Sequence, residues 1–373
     1  MITIWGVRIN LAWDAEFLLL YPFFRTFSCN FLNFLSESSS LFIYDAVDMR
    51  AIIPVGGVGS RLRPHTFELP KVLLNVAGKP IIGHILDKIM GEGITTATIV
   101  VGQMGEKIKE YVAQGYPKLS VDYVEQAEPL GLGHAIYLSL PTINHEPVFI
   151  ILGDTIFDVD LGPVLHGTAN ALGVKHVEDP RRFGVAEVAN GSITKLVEKP
   201  EHPKSHLAVV GLYYMHNSSL LAECLKEVVK NDVRTKGEYQ LTDALQMMID
   251  RGETIRTFPV EGWYDCGKPS TLLETNRSLL DKKSTSRKID GVVILEPVYI
   301  AASAQLSNCV VGPYTTVADR ATVSESIVRN SIIGEDAQVQ RVLLNDSIVG
   351  NGAIVKGSFK RFNVGGSSEF ETN

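Results

Sequence analysis

The stretch Ala51-Ile52-Ile53-Pro54-Val55-Gly56-Gly57-Val58-Gly59-Ser60-Arg61-Leu62-Arg63-Pro64 decides the fold. Its opening apolar run reads as a buried strand, and the glycines begin where that strand stops. In an open α/β sheet, ligands bind at such strand ends. Three glycines within four residues let backbone N–H groups curl around an anion with no Cβ in the way. Arg61 and Arg63, then Lys71 in Pro70-Lys71 and Lys79 in Gly78-Lys79-Pro80, add positive charge to the same segment. A polyphosphate suits such a loop. Two commoner glycine motifs do not fit. A dinucleotide fingerprint needs glycine where Leu62 stands, and a P-loop needs Gly-Lys-Ser/Thr where Gly59 is followed by Ser60-Arg61.

Downstream, Ile81, Ile82, Ile85, Leu86, Ile89 and Met90 form an apolar stripe at helical spacing, opening after Pro80 and ending at Gly91. A strand at 97–101, a helix at 105–113, a strand at 121–125, a helix opening near Gly133 and a strand at 148–152 continue a βαβ rhythm. The polar run 282–290 reads as a linker. Beyond it the pattern Ile300-Ala301-x-x-Ala304-x-Leu306 recurs at Val317, Ile333 and Val349, with steps of 17, 16 and 16 residues. Val311, Val328 and Leu344 fall between the units, as in a hexapeptide-repeat β-helix of about four coils. Packing or oligomerisation is the expected role of this repeat, so that its deletion alters assembly more than chemistry. All nine histidines lie at or before His216, so the repeat lacks the base that β-helix acyltransferases use.

The chain of 373 residues carries a formal net charge of −7 and no basic block, which argues against nucleic acid as a partner. Anionic ligands must therefore meet local positive charge. Cys29, Cys224, Cys266 and Cys309 have neither metal-site nor disulfide-framework spacing and suit a reducing cytoplasm. The longest apolar run, 17–24, is too short to span a bilayer. Residues 1–48 carry seven of the fifteen Phe and two of the three Trp without helical or strand period. They are expected to be an extension outside the core.

From Gly56 to Thr66, with Pro70-Lys71 and Gly78-Lys79-Pro80, the chain resembles the sugar-nucleotide pyrophosphorylases, which join a nucleoside triphosphate to a sugar 1-phosphate. Further matches run to about residue 357: Gln126 with Gly131-Leu132-Gly133-His134-Ala135, Gly153-Asp154, Glu198-Lys199-Pro200, the stretch Gly237 to Asp243, and Trp263-Tyr264-Asp265-Cys266-Gly267-Lys268-Pro269. The last motif and the repeat resemble the long-form glucose-1-phosphate thymidylyltransferases, whereas Gly131 to Ala135 is similar to the UTP–glucose-1-phosphate uridylyltransferases. The resemblance implies an α/β, Rossmann-like (GT-A-like) catalytic domain over 49–281, built on a mixed, mostly parallel sheet. It also implies a left-handed β-helix over 291–373 and a homo-oligomer. Mannose-1-phosphate guanylyl transfer and a non-enzymatic regulatory subunit of the same architecture are the competing readings.

A sugar 1-phosphate loses its second proton near pH ~6, so the nucleophile needs no general base. The barrier is repulsion between that dianion and the triphosphate, which calls for positioned cations and metal. The resemblance assigns Arg61 and Lys71 to the reacting phosphates, and Gly56, Gly57, Gly59, Ser60 and Gly131 to the nucleotide. It assigns Glu198, Lys199 and Gly184 to the sugar phosphate, and Asp154 and Asp265 to Mg²⁺. His134 and Cys266 lie inside motifs with no evident chemical task. Gln126 offers an amide donor and acceptor, which match the carbonyl and N–H edge of thymine or uracil. This favours dTTP, then UTP, over GTP. A chain beginning at Met49 is expected to keep full stability and activity; loss of either, by thermal melting or turnover assay, would show that residues 1–48 belong to the working protein.

Overall fold

The computed structural model describes residues 2–4, 7–9, 49–284 and 288–358. Contacts divide the chain into two units, Met1–Asp45 and Ala46–Asn373. In the first, Ile2–Ile4 and Val7–Ile9 pair as an antiparallel hairpin. The rest of the expected extension, the middle of the linker and the end of the tail lie outside the described residues.

In the second unit the opening apolar run forms β1 (Arg50–Pro54), with Ala51, Ile52 and Ile53 fully buried. A strand covered on both faces has no reason to alternate polar and apolar residues, and this one does not. β2 (Thr96–Val101), β3 (Ser120–Glu125) and β4 (Val148–Ile151) complete a parallel block in the order β3-β2-β1-β4. Their connections are the expected helices, α1 (Ile81–Gly91), α2 (Gly105–Gly115) and α3 (Leu132–Ser139). In α1 the stripe Ile81, Ile82, Ile85, Leu86 and Ile89 is buried in full.

Beyond β4 come β5 (Thr155–Asp158), β6 (Asn170–His176), β7 (Gly184–Ala189), β8 (Ser192–Glu198) and β9 (Leu207–Met215). After α4 (Ser218–Lys230) and α5 (Leu241–Asp250) follow β10 (Ile255–Pro259), β11 (Gly262–Asp265) and α6 (Pro269–Lys282). The sheet has nine strands in the order β6-β10-β8-β7-β9-β4-β1-β2-β3. It is mixed as expected, but its parallel character is concentrated in one half. β9 runs antiparallel to β4, and β7 and β8 form a hairpin. Asn190 and Gly191 close that hairpin with φ of 51° and 77°, the two left-handed residues a tight β-turn of this hand demands.

Residues 292–356 wind into four coils whose strands stack as three parallel four-stranded sheets. Along one of them, Gln305 pairs with Thr322, Thr322 with Gln338 and Gln338 with Ile354, which reproduces the steps read from the sequence. Val311, Val317, Val323, Val328, Ile333 and Val339 fill the interior.

This β-helix shares apolar packing with the α/β domain as well as adjoining it. Ile332 is buried in the same apolar cluster as Ile53, Leu62 and Leu272, and Ile348 packs against it. Asn276 of α6 is fully buried where three segments meet. Its Oδ1 accepts from the Ala77 N–H at 2.9 Å and from the Thr316 hydroxyl at 2.7 Å, while its Nδ2 donates to the Tyr314 carbonyl at 3.2 Å. Ala77 lies between Asn75–Val76 and Lys79–Pro80, a short hairpin whose Gly78 sits against the Tyr299 ring with no room for a side chain. The Gly78-Lys79-Pro80 motif therefore docks the β-helix, and Lys79 pairs with Asp87 away from the glycine loop.

Removing one buried hydrogen bond costs about 1 kcal/mol, and stranding several polar groups costs about 3 kcal/mol or more. Thr316→Val should therefore destabilise the chain by about the first amount and Asn276→Leu by about the second. Urea denaturation of the full chain checks this; unchanged midpoints in both variants would show that the two parts do not share this node.

Candidate active site

The carboxyl ends of β1 and β4 are adjacent in the sheet, and the loops leaving them meet over a cleft of ≈ 290 Å³. Gly56, Gly57, Lys71, Gln126, Gly131 and Asp154 line it, so six of the residues singled out in the sequence share one cleft. Gly59 turns the loop with φ 65°, and a Cβ there would lie 3.1 Å from Cβ of Lys71. Left-handed backbone with that clearance is a glycine position. The Thr66 hydroxyl donates to the Gly59 carbonyl at 2.9 Å and ties the far side of the loop back. Lys71 Nζ then reaches Asp154 Oδ2 at 2.7 Å, with the lysine side chain 10 % exposed and the aspartate 38 %.

Asp265 enters from β11. That strand pairs antiparallel with β5, placing Asp265 opposite Thr155, and the Cys266 N–H donates to the Asp154 carbonyl at 3.0 Å. Arg61 arrives from the other side. A Cβ on Gly267 would sit 2.7 Å from Asp265 Oδ1 and 3.0 Å from an Arg61 guanidinium nitrogen. Arg61 is exposed and makes no ion pair among the described residues, so its charge is available to a ligand. Ser60 lies exposed in the same short 3₁₀ turn. Arg63, by contrast, stacks over Phe67.

Cys266 is fully buried between these charges. Burial pushes its thiol up to about 12, so it is a neutral filler beside Lys71, Asp154 and Asp265. Asp154 and Asp265 offer hard oxygens of the kind Mg²⁺ takes, and Asp265 pairs with Thr155, the residue that follows Asp154. Among the described residues no three His, Cys or carboxylate side chains gather into a cage. A cation held here would be completed by water or by substrate oxygens, which is how Mg²⁺ usually binds.

Glu198, Lys199 and Gly184 form a second cluster. Gly184 faces Glu198 across the β7–β8 ladder, and a Cβ there would crowd Glu198 Oε2 at 3.3 Å. The Thr242 hydroxyl donates to Glu198 Oε2 at 2.8 Å, and Lys199 Nζ lies 3.3 Å from Oε1. Tyr213 connects the clusters. Burial raises its hydroxyl pKa, and the Glu198 and Asp154 carboxylates raise it further, so it stays protonated between them. Asp243 is also raised by burial, then by Glu198, against a hydrogen bond from Thr235.

Sequence reasoning gave no role to Tyr213, Thr242 or Glu238, the last of which lines the cleft. The stretch Gly237 to Asp243 was a signal for two of them; Tyr213, inside an apolar strand, gave none. One expectation changes in detail. Gln126 does not present both faces of its amide, because Nε2 donates to the Gly131 carbonyl at 3.0 Å and to His134 Nδ1 at 3.2 Å. Its Oε1 is left beside Gly56 on the cleft wall.

The chain is 32% identical over 324 residues to a glucose-1-phosphate thymidylyltransferase of Streptomyces griseus, an alignment spanning 79% of this chain and 89% of that one. Over 243 residues it is 32% identical to a UTP–glucose-1-phosphate uridylyltransferase of Haloferax volcanii, spanning 63% and 98%. The crystal structure of a UDP-glucose pyrophosphorylase complexed with UDP-glucose superposes with a TM-score of 0.57 at 26% identity, covering 63% of this chain and 99% of that one. Residues 50–282, the segment that builds both clusters, match the family model described as nucleotidyl transferase, and the chain belongs to that family.

Proposed function

We propose that the chain transfers the nucleotidyl group of dTTP, with UTP next, to glucose 1-phosphate, releasing pyrophosphate. The broader activity, sugar-1-phosphate nucleotidyl transfer, has the support of the family match and of both named relatives. The observation that carries it is Lys71 paired with Asp154 on the wall of a glycine-lined cleft. The choice of base has weaker support, from Gln126 Oε1, an acceptor matched to the N3–H of thymine or uracil. UTP stands second because one named relative and the superposed structure use uridine nucleotides.

In this reading one oxygen of the sugar phosphate attacks the α-phosphorus. The bond from that phosphorus to the oxygen bridging to the β-phosphate breaks, and pyrophosphate leaves with the electron pair. No proton moves from the dianionic nucleophile. Gly56 and Gly57 let the triphosphate approach the backbone. Lys71 sits where negative charge gathers on the α-phosphate, and Arg61 meets the departing pyrophosphate. Preorganised charge of this kind lowers the barrier because it need not reorient during reaction. Glu198, held by Thr242, accepts hydrogen bonds from sugar hydroxyls, while Lys199 faces the sugar phosphate. Asp154 and Asp265 would hold Mg²⁺, which supplies further positive charge against the triphosphate when bound.

Lys71→Ala should lower kcat about 10²-fold or more with the fold intact, because it removes a transition-state contact from a loop rather than from the core. Steady-state assay with circular dichroism checks this, and near-normal turnover would remove Lys71 from the chemistry. A pyrophosphate-release panel crossing dTTP, UTP, GTP, ATP and CTP with glucose, galactose, mannose and N-acetylglucosamine 1-phosphates tests the substrate pair. Release with dTTP or UTP and glucose 1-phosphate is expected. Release only with GTP and mannose 1-phosphate would overturn the base assignment, and silence throughout would favour a regulatory subunit.

A further inference from the structure

We propose that His134 is a positioning residue that fixes the sense of the Gln126 amide and thereby sets which base the cleft accepts. The inference rests on the nucleotide site proposed above and adds a specificity determinant to it.

Gln126 Nε2 has two acceptors around it, the Gly131 carbonyl at 3.0 Å and His134 Nδ1 at 3.2 Å. A half-turn of the amide would set Oε1 against the Gly131 oxygen and leave two acceptors facing each other. The backbone around that carbonyl is clamped. Gly133 donates to the Tyr239 carbonyl at 2.7 Å, and the Tyr239 N–H donates to Leu130 at 2.9 Å. Gly131 itself has φ 108° and no room for a side chain against Tyr239 and Glu238. The imidazole lies in the first turn of α3, stacked on Tyr137 at 6.3 Å and tilted against Tyr239 at 6.1 Å. Accepting at Nδ1 requires the ring to be neutral, with its proton on Nε2.

The consequence is chemical. With His134 neutral, Gln126 shows the cleft an oxygen, which accepts from an N–H. Thymine and uracil carry N–H at ring position 3, whereas cytosine carries a bare nitrogen there. If Nδ1 gained a proton it would face the amide NH₂, a donor–donor contact that the amide could relieve only by turning, at the cost of its bond to the Gly131 carbonyl. Gln126 would then show the cleft a donor, the complement of cytosine. The groups that bear on this proton are Glu128, whose charge favours it, and Arg234, whose charge opposes it. Tyr137, Tyr239 and Gln126 also lie against the ring. Burial, joined by Arg234, outweighs Glu128 and holds the imidazole pKa below its ordinary value, so the acceptor form prevails at neutral pH.

The test compares UTP with CTP as kcat/KM ratios, with glucose 1-phosphate, in the full chain and in the variants His134→Phe and His134→Asn. His134→Phe keeps the stacking and loses the acceptor, whereas His134→Asn can still accept through its amide oxygen. His134→Phe is expected to lower the UTP:CTP ratio about tenfold, mostly through KM for UTP, while His134→Asn keeps most of the preference. In the wild type the ratio should fall between about pH 8 and about pH 5.5, and in His134→Asn it should not. Ionisation of triphosphate and sugar phosphate cancels in the ratio. A wild-type enzyme that uses UTP, joined to a His134→Phe variant with an unchanged ratio, overturns the role of His134 alone. A wild type inactive with both dTTP and UTP overturns the nucleotide reading and the inference with it.

Discussion

A single ion pair, Lys71 Nζ to Asp154 Oδ2 at 2.7 Å, joins the loop that follows the first strand of the sheet to the end of the fourth. Everything near the cleft is arranged so that these two groups can face each other. The first and fourth strands must be neighbours and parallel, so that their carboxyl ends open on the same side. The loop must pass close enough to bring Lys71 back over the sheet, which Gly59 allows and Thr66 secures. Packed close beside them, Cys266 is held neutral by burial, so it does not compete for one partner or the other. A pair this exposed on its acidic side contributes little to stability. Its value lies in where it holds positive charge relative to the glycines.

The side of the glycine-loop segment turned to the β-helix works by packing. Asn276 ties the hairpin at Ala77 to a single strand segment of the β-helix, at Tyr314 and Thr316, and Ile332 and Ile348 extend the apolar cluster beneath the glycine loop. His65, just beyond that loop, lies within 3.3 Å of where a Cβ on Gly350 would be. The β-helix thus closes the underside of the segment whose upper side lines the cleft, and its four coils have a structural role before any assembly is considered.

Much of this was legible in the chain because it depends on local spacing. The run 51–55, the stripe from Ile81 to Met90 and the 17, 16, 16 repeat each state their element through periodicity, and the structure places each accordingly. What was not legible depends on partners distant in sequence. Lys79 looked like one more cation for a phosphate, yet its motif docks against Tyr299, more than two hundred residues away. The β7–β8 hairpin in the other half of the sheet is closed by a two-residue turn at Asn190-Gly191 that the βαβ rhythm concealed. Gln126 was read as a free amide because nothing in a sequence says which of its atoms is already bonded.

That last point separates two kinds of residue in the site. Lys71, Arg61, Asp154 and Asp265 are defined by charge, and a charge can be inferred from the residue type alone. In the proposed function Gln126, Glu198 and Gly184 choose among molecules that differ by one hydrogen-bonding group, so their meaning depends on orientation. Glu198 is oriented by Thr242, and Gly184 matters for what it leaves empty. Gln126 is oriented by Gly131 and His134. A lost hydrogen bond at such a position shifts preference about tenfold, whereas a lost charge at the reacting phosphates costs about 10²-fold or more. Chains with the same charged residues can therefore share one reaction and differ in substrate through residues that never touch it, and the role proposed for His134 is of this kind.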